Sequence, residues 1–283
     1  MNLNVNQNDA SCGAIVEGID LTASLKNSDV KALRRAWLEN HVLVFPDQLL
    51  SDDDLERFSL YFGCFGNDPF IAPIDGRDHV IAVGRKAEEK APVFAEVWHS
   101  DWSFQKIPPA GTCLYSIKIP PVGGDTEYIN QHKALKAMSS KLRSQIEGKE
   151  AIHSARAGYS PEGYFGDQRQ EADRSMRIVV SESAKDTQTH PIIKRHPETG
   201  MEALFGCLGY IIGIKGMPDD ESRELLFEVY KWQTQEEFIY THQWQEHMLV
   251  MWDNRSLLHK ANGGYDGHER LLHRTTIADQ TTA

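Results

Sequence analysis

Apolar residues recur along this chain in two rhythms. Over residues 29–40, Val30, Leu33, Trp37 and Leu38 fall at helical spacing, and residues 219–232 repeat the pattern with Leu225, Leu226, Val229 and Tyr230 behind Pro218, a helix-start signal. Ser51 ahead of Asp52, Asp53 and Asp54 reads as an N-cap with an acidic first turn, so a helix is expected through Leu55, Phe58 and Tyr61 to Gly63. A fourth helix is expected over 133–147. Short runs rich in β-branched and aromatic residues predict strands over 14–21, 41–45, 79–83, 111–119, 126–129, 190–195, 202–205, 238–244, 247–252 and 269–277. Between 190–195 and 202–205, His196-Pro197-Glu198-Thr199-Gly200 reads as a hairpin loop, with His196 and Glu198 serving the turn.

Many short strands broken by helical insertions predict a mainly β fold, a double-stranded β-helix (jelly roll), rather than a parallel α/β sheet. No glycine-rich loop opens a helix to argue otherwise. One domain is expected over 1–283. The run Arg85-Lys86-Ala87-Glu88-Glu89-Lys90 suggests an exposed, mobile loop near 84–95, and the Gly-, Arg- and acid-rich stretch 157–184 reads as a long insertion.

Composition narrows the partners. A net charge of −11 argues against binding nucleic acid or an anionic membrane surface, although a locally basic pocket remains compatible with it. Cys12, Cys64, Cys113 and Cys207 are scattered, which fits buried thiols in a reducing compartment better than a disulfide framework or zinc ribbon. The first ten residues are polar, and no apolar run approaches the ~18 residues of a membrane span. The expectation is a soluble, cytoplasmic protein, with a homo-oligomer left open.

Candidate chemistry begins at Trp98-His99-Ser100-Asp101-Trp102-Ser103-Phe104. In a strand, His99, Asp101 and Ser103 would share one face. With 12 histidines in 283 residues, chance alone yields about one such His-x-Asp pair, so a third ligand is required. His259 supplies it, after Met251-Trp252-Asp253-Asn254-Arg255. Two neutral imidazoles and one carboxylate form the facial set typical of non-haem Fe(II) oxygenases. A dicarboxylate co-substrate would need a cation at its far end. Arg270 and Arg274 lie four apart with Leu272 between, so a strand directs both guanidiniums into one cavity, where anions are natural partners. His273 falls on the opposite face, and Arg255 suits a structural ion pair. From the residues alone, a structural His99–Asp101 pair, a zinc hydrolase with the same three ligands and a non-catalytic jelly-roll binding protein stay open.

Together, Trp98-His99-Ser100-Asp101, Gly123-Gly124-Asp125-Thr126, Trp252-Asp253-Asn254-Arg255 with His259, and Arg270 with Arg274 make the chain resemble, over nearly its whole length, the Fe(II)/2-oxoglutarate dioxygenases of the taurine and 2,4-dichlorophenoxyacetate dioxygenase group. The resemblance implies an oxidoreductase using Fe(II), 2-oxoglutarate and O2 to hydroxylate or desaturate an unactivated C–H bond of a small anionic substrate, with release of succinate and CO2. It implies that His99, Asp101 and His259 bind iron, that Thr126 and Arg270 hold the distal carboxylate of 2-oxoglutarate, and that Arg274 faces the substrate's carboxylate or sulfonate.

Departures from the taurine enzyme bear on the substrate. Asn67-Asp68-Pro69-Phe70-Ile71 stands where that enzyme has a substrate-binding His and Tyr, and Trp102 follows Asp101 where a smaller residue is usual. Asp68, Ile71 and Trp102 are thus expected to line the substrate pocket. Asp68 could meet an amine opposite the anion held by Arg274, which points to an amino-acid-like substrate.

Overall fold

Two sheets face each other across an apolar interior, in a computed structural model that describes residues 3–166 and 174–279. In chain order the strands are β1 (Asn4–Gln7), β2 (Ala14–Glu17), β3 (Val42–Phe45), β4 (Ile81–Arg85), β5 (Gly111–Lys118), β6 (Thr126–Asn130), β7 (Glu150–His153) and β8 (Gln188–Pro191). They continue as β9 (Ile193–Arg195), β10 (Glu202–Leu204), β11 (Ile211–Ile214), β12 (Ile239–His242), β13 (Leu249–Asp253), β14 (Leu257–Ala261) and β15 (Arg270–Ile277). The large sheet runs β1-β2-β3-β13-β5-β15-β4, the facing sheet β12-β6-β14, and a further sheet β11-β7-β8. This is the expected double-stranded β-helix, its sheets facing each other without closing into a barrel.

Side-chain alternation in β13 explains why its hydrophobic run is continuous. Leu249 and Met251 join Leu33, Trp37 and Phe58 of α1 (Asn27–Asn40) and α2 (Asp52–Leu60) on the outer face. Val250 and Trp252 point inward to Tyr128 and Leu257 of the facing sheet. Both faces are covered, so every residue of the strand is buried. The facing sheet is covered in turn: Ile129 and Leu258 pack outward against α3 (Gln131–Ala137), α4 (Ser140–Ile146) and α6 (Asp219–Gln233), with the short α5 (Arg156–Tyr159) lying between α4 and α6 in sequence. Ser51 caps α2 through a reciprocal capping box with Asp54.

Several expectations are corrected. The helix expected over 133–147 is two helices, because Met138 is extended and Ser139 starts α4 by accepting from the Leu142 N–H. Strands β1, β7, β11 and β14, only four or five residues long, fall outside the expected set. Arg85 belongs to β4 and is buried, and Glu89 is buried while accepting from the backbone and hydroxyl of Ser175, so the 85–90 run is not uniformly exposed. Of the stretch 157–184, residues 167–173 lie outside the described residues. No helix among the described residues is long and apolar enough to cross a membrane.

Candidate active site

Two backbone hydrogen bonds tie the two candidate motifs together. His99 N–H donates to His259 O at 3.0 Å and His259 N–H to His99 O at 2.8 Å, an antiparallel bridge joining the Trp98 segment to β14. Beyond His99 the chain does not continue as a strand; it turns, with Trp102 in the left-handed region at φ 49°. The shared strand face expected for His99, Asp101 and Ser103 therefore does not exist, and the turn itself carries Asp101 back beside the two histidines. A bulky residue at positive φ is strained, and such strain concentrates at functional sites.

His99 Nε2 lies 3.8 Å and His259 Nε2 3.7 Å from Asp101 Oδ1, all three side chains being buried. His99 Nδ1 lies 2.8 Å from the Val97 carbonyl oxygen, so the ring donates there and leaves the Nε2 lone pair toward Asp101. Burial lowers the basicity of both imidazoles, and that of His259 falls to about 3 under the added influence of His99. Burial alone would raise the Asp101 carboxyl, but Arg274, the two imidazoles and the Thr112 hydroxyl hold it at about 2. Two neutral nitrogens and an ionised oxygen, whose ligating atoms lie within 4.8 Å of one another, are the donor set a divalent iron takes.

Asp101 is held by a chain of donors that runs through the second motif. Thr112 Oγ1 donates to Asp101 Oδ2 at 2.6 Å, Asn254 Nδ2 donates to Thr112 Oγ1 at 2.9 Å, and Trp252 Nε1 donates to Asn254 Oδ1 at 2.9 Å. Ser100 Oγ donates to the Asn254 carbonyl at 2.8 Å. Neighbouring Asp253, fully buried, accepts from Arg255 Nε at 2.9 Å and Nη2 at 2.7 Å and pairs with His196 Nε2 at 3.0 Å. Arg255 also reaches Glu198 at 2.8 Å, which places it in the expected structural role. His196 and Glu198 thus serve their turn and also clamp it to the motif.

Arg270 is also buried, and its guanidinium has no hydrogen bond or ion pair among the described residues; Nε is an orphaned donor. Gly124, at φ 74°, lies so close that an added Cβ would stand 3.1 Å from that Nε. Thr126 Oγ1 accepts from Trp244 Nε1 at 2.9 Å, which leaves the threonine's own proton to donate, and the Arg270 guanidinium carbon sits 6.0 Å from the Trp244 ring. An unpartnered buried guanidinium beside an available hydroxyl fits an incoming carboxylate. Trp244 ends the strand expected over 238–244, but nothing in the sequence marks it as the partner of Thr126.

Arg274 differs. Its Nη2 donates to Asp68 Oδ1 at 2.5 Å and its Nη1 lies 3.5 Å from Asp101 Oδ1. Asp68 also accepts from Trp102 Nε1 at 2.7 Å and Thr276 Oγ1 at 2.9 Å. The carboxylate expected opposite the guanidinium is instead bonded to it, because both are withdrawn from water and each is the other's nearest counter-charge. Burial pulls the Arg274 pKa down, but Asp68 and Asp101 outweigh it and raise it. Around this pair stand Phe70, Trp102, Phe104 and Tyr159, with Tyr210 edge-on to both Phe104 and His99. Ile71 is buried in the same cluster and bridges to Ile178. His273, on the opposite face of β15, pairs outward with Asp52 at 2.6 Å.

A jelly roll carrying a buried His/Asp/His cluster and an inward arginine pair is the architecture of a non-haem iron oxygenase. Residues 6–276 match the family described as taurine catabolism dioxygenase TauD, TfdA family. The chain is 32% identical over 284 residues to the alpha-ketoglutarate-dependent 2,4-dichlorophenoxyacetate dioxygenase of Cupriavidus pinatubonensis, covering 93% of each chain. It is also 32% identical to the alkylsulfatase of Acinetobacter baylyi, over 95% of this chain and 83% of that one. In three dimensions it superposes on a taurine dioxygenase from Burkholderia xenovorans with a TM-score of 0.80 at 27% identity, covering 99% of this chain and 90% of the other. AAD-2, crystallised with Mn(II) and N-oxalylglycine, gives 0.77 at 26% identity, covering 99% and 98%. The chain belongs to the TauD/TfdA family. It is an Fe(II)- and 2-oxoglutarate-dependent dioxygenase.

Proposed function

We propose that this enzyme hydroxylates, or desaturates, an unactivated C–H bond of a small organic acid, a carboxylate or sulfonate, in the cytoplasm. Among the relatives are enzymes named for 2,4-dichlorophenoxyacetate and for sulfate esters, and no disulfide joins the cysteines of the chain. The observation that carries the site assignment is the convergence of His99, Asp101 and His259 in one buried cluster, with Arg270 also buried and its Nε without a hydrogen-bond partner among the described residues. His99, Asp101 and His259 would hold Fe(II); Arg270 and Thr126 would hold the distal carboxylate of 2-oxoglutarate. Bound iron and 2-oxoglutarate supply the oxidising chemistry, one oxygen atom of O2 entering succinate as CO2 leaves and the other becoming available to the substrate.

The protein's own contribution is positional. Thr112 and Asn254 fix the Asp101 carboxylate, the Val97 carbonyl fixes the His99 ring, and Gly124 leaves room for Arg270. The aromatic wall of Phe70, Trp102, Phe104 and Tyr159 excludes water and orients the C–H bond. Anaerobic titration with Fe(II) and 2-oxoglutarate tests the reading: a visible charge-transfer band is expected, absent with zinc and lost in His99→Ala. Failure of the reconstituted wild-type protein to form the band overturns it.

A further inference from the structure

The buried Asp68–Arg274 ion pair constrains the substrate. This inference rests on the dioxygenase reading above. Asp68 and Arg274 are 10% and 6% exposed at their side chains, so the pair sits in a medium where uncompensated charge is expensive. With Fe(II), dianionic 2-oxoglutarate, Asp101, Arg270 and Arg274 in place, a site without Asp68 would retain one positive charge, which a monoanionic substrate would cancel. Asp68 removes that charge in advance. A monoanion reaching Arg274 would displace Asp68 and leave its carboxylate without a counter-charge. Thr276 and Trp102 would still hold it in the pocket.

A ligand carrying both signs meets no such obstacle. Its acid group takes Arg274 and its ammonium takes Asp68, so one buried ion pair is exchanged for two with no change in net charge. Asp68 keeps acceptor capacity for this, because each carboxylate oxygen offers two lone pairs and three donors now use them. Aromatic faces of Trp102, Phe70 and Tyr159 nearby also favour an ammonium group.

We propose that the Asp68–Arg274 pair is the specificity device of this enzyme and selects a small zwitterionic amino carboxylate over the corresponding plain acid. The test uses the anaerobic Fe(II)·2-oxoglutarate enzyme and two matched pairs of probes, β-alanine with propanoate and phenylalanine with 3-phenylpropanoate. Binding is read by calorimetry and by displacement of the charge-transfer band. In at least one pair the zwitterion is expected to bind at least tenfold more tightly than its plain acid. In Asp68→Asn, which keeps an acceptor for Trp102, the preference reverses and the plain acid gains at least tenfold. Equal or tighter binding of the plain acids by the wild type, absence of zwitterion binding, or an unchanged ratio in Asp68→Asn overturns the proposal. If Asp68→Asn does not fold, the wild-type ratio decides alone. A protein that forms the band but shows no preference loses this inference and keeps the dioxygenase reading, whereas absence of the band removes the reading itself.

Discussion

Thr112 donates its hydroxyl proton to Asp101 Oδ2 at 2.6 Å, and that bond leaves Oδ1 as the oxygen turned to both imidazoles. One carboxylate oxygen is thereby taken by the scaffold, while the other faces the two imidazoles, with Arg274 Nη1 3.5 Å away, and is the one proposed to meet the metal. Thr112→Val keeps the shape and deletes the donor. Fe(II) affinity is expected to fall about 10- to 100-fold, the usual cost of losing a bond behind a ligand. Thr112→Ser should restore most of it. Anaerobic Fe(II) titration of the three proteins checks this, and equal affinities would show that Thr112 does not orient Asp101.

Gly124 makes a second, separable prediction. A methyl group there would stand 3.1 Å from Arg270 Nε on a backbone at φ 74°, so Gly124→Ala must move the guanidinium or the turn. The 2-oxoglutarate dissociation constant should rise about tenfold or more, the worth of a charge-assisted hydrogen bond. Fe(II) affinity should stay near the wild-type value. A parallel loss of both would mean that the turn, rather than Arg270, had been disturbed.

Buried and exposed ion pairs should separate sharply in stability. Arg255→Ala takes the guanidinium from wholly buried Asp253, leaving it only His196 and a backbone N–H, and removes a bond to Glu198, so a loss of about 3–5 kcal/mol is expected in urea unfolding. Lys215 and Glu150 also pair at 2.8 Å, but their side chains are 62% and 40% exposed. Lys215→Ala should therefore change stability by less than about 1 kcal/mol.

These contrasts also show what was readable in the sequence. β13 is covered on both faces, so its unbroken apolar run announced a strand, and the Ser51–Asp54 cap announced α2. Residue types identified the His/Asp/His set, but the expected strand around Trp102 was wrong because a turn at positive φ leaves no periodic trace. The identity of Asp68's partner was equally hidden, since a pairing between α2's following loop and β15 depends on tertiary approach. β14 carries His259 yet is five residues long and follows directly on a turn, too short for periodicity to reveal. Thr112 and Asn254 stood within recognisable stretches, but nothing in their spacing says that one donates to the other.

Acid should destabilise the protein over a defined window. Burial lowers His41 to about 4, His153 to about 3 and His242 to about 3, against an unfolded-state value near ~6.5. As pH falls from ~6.5 towards these folded values the unfolded chain takes up protons that the native state refuses, so stability drops with pH and levels off below them. The urea midpoint should be lower at pH 5.5 than at pH 7.5, and His153→Gln should reduce the difference. A midpoint that does not move between those two conditions would contradict the buried, neutral state of these rings.

The placement of β15 has a consequence for how the protein is made. This last strand lies between β5 and β4, and β13 lies between β3 and β5. A nascent chain leaving the ribosome can present β1 to β5 and still lack the two strands that join β3, β5 and β4 into one sheet. Both candidate arginines arrive with the second of these. Until β15 emerges, β4 has no partner in the sheet, and His99 and Asp101, the proposed metal ligands, wait for His259 of β14, so the buried three-residue cluster assembles only after β14 has been made.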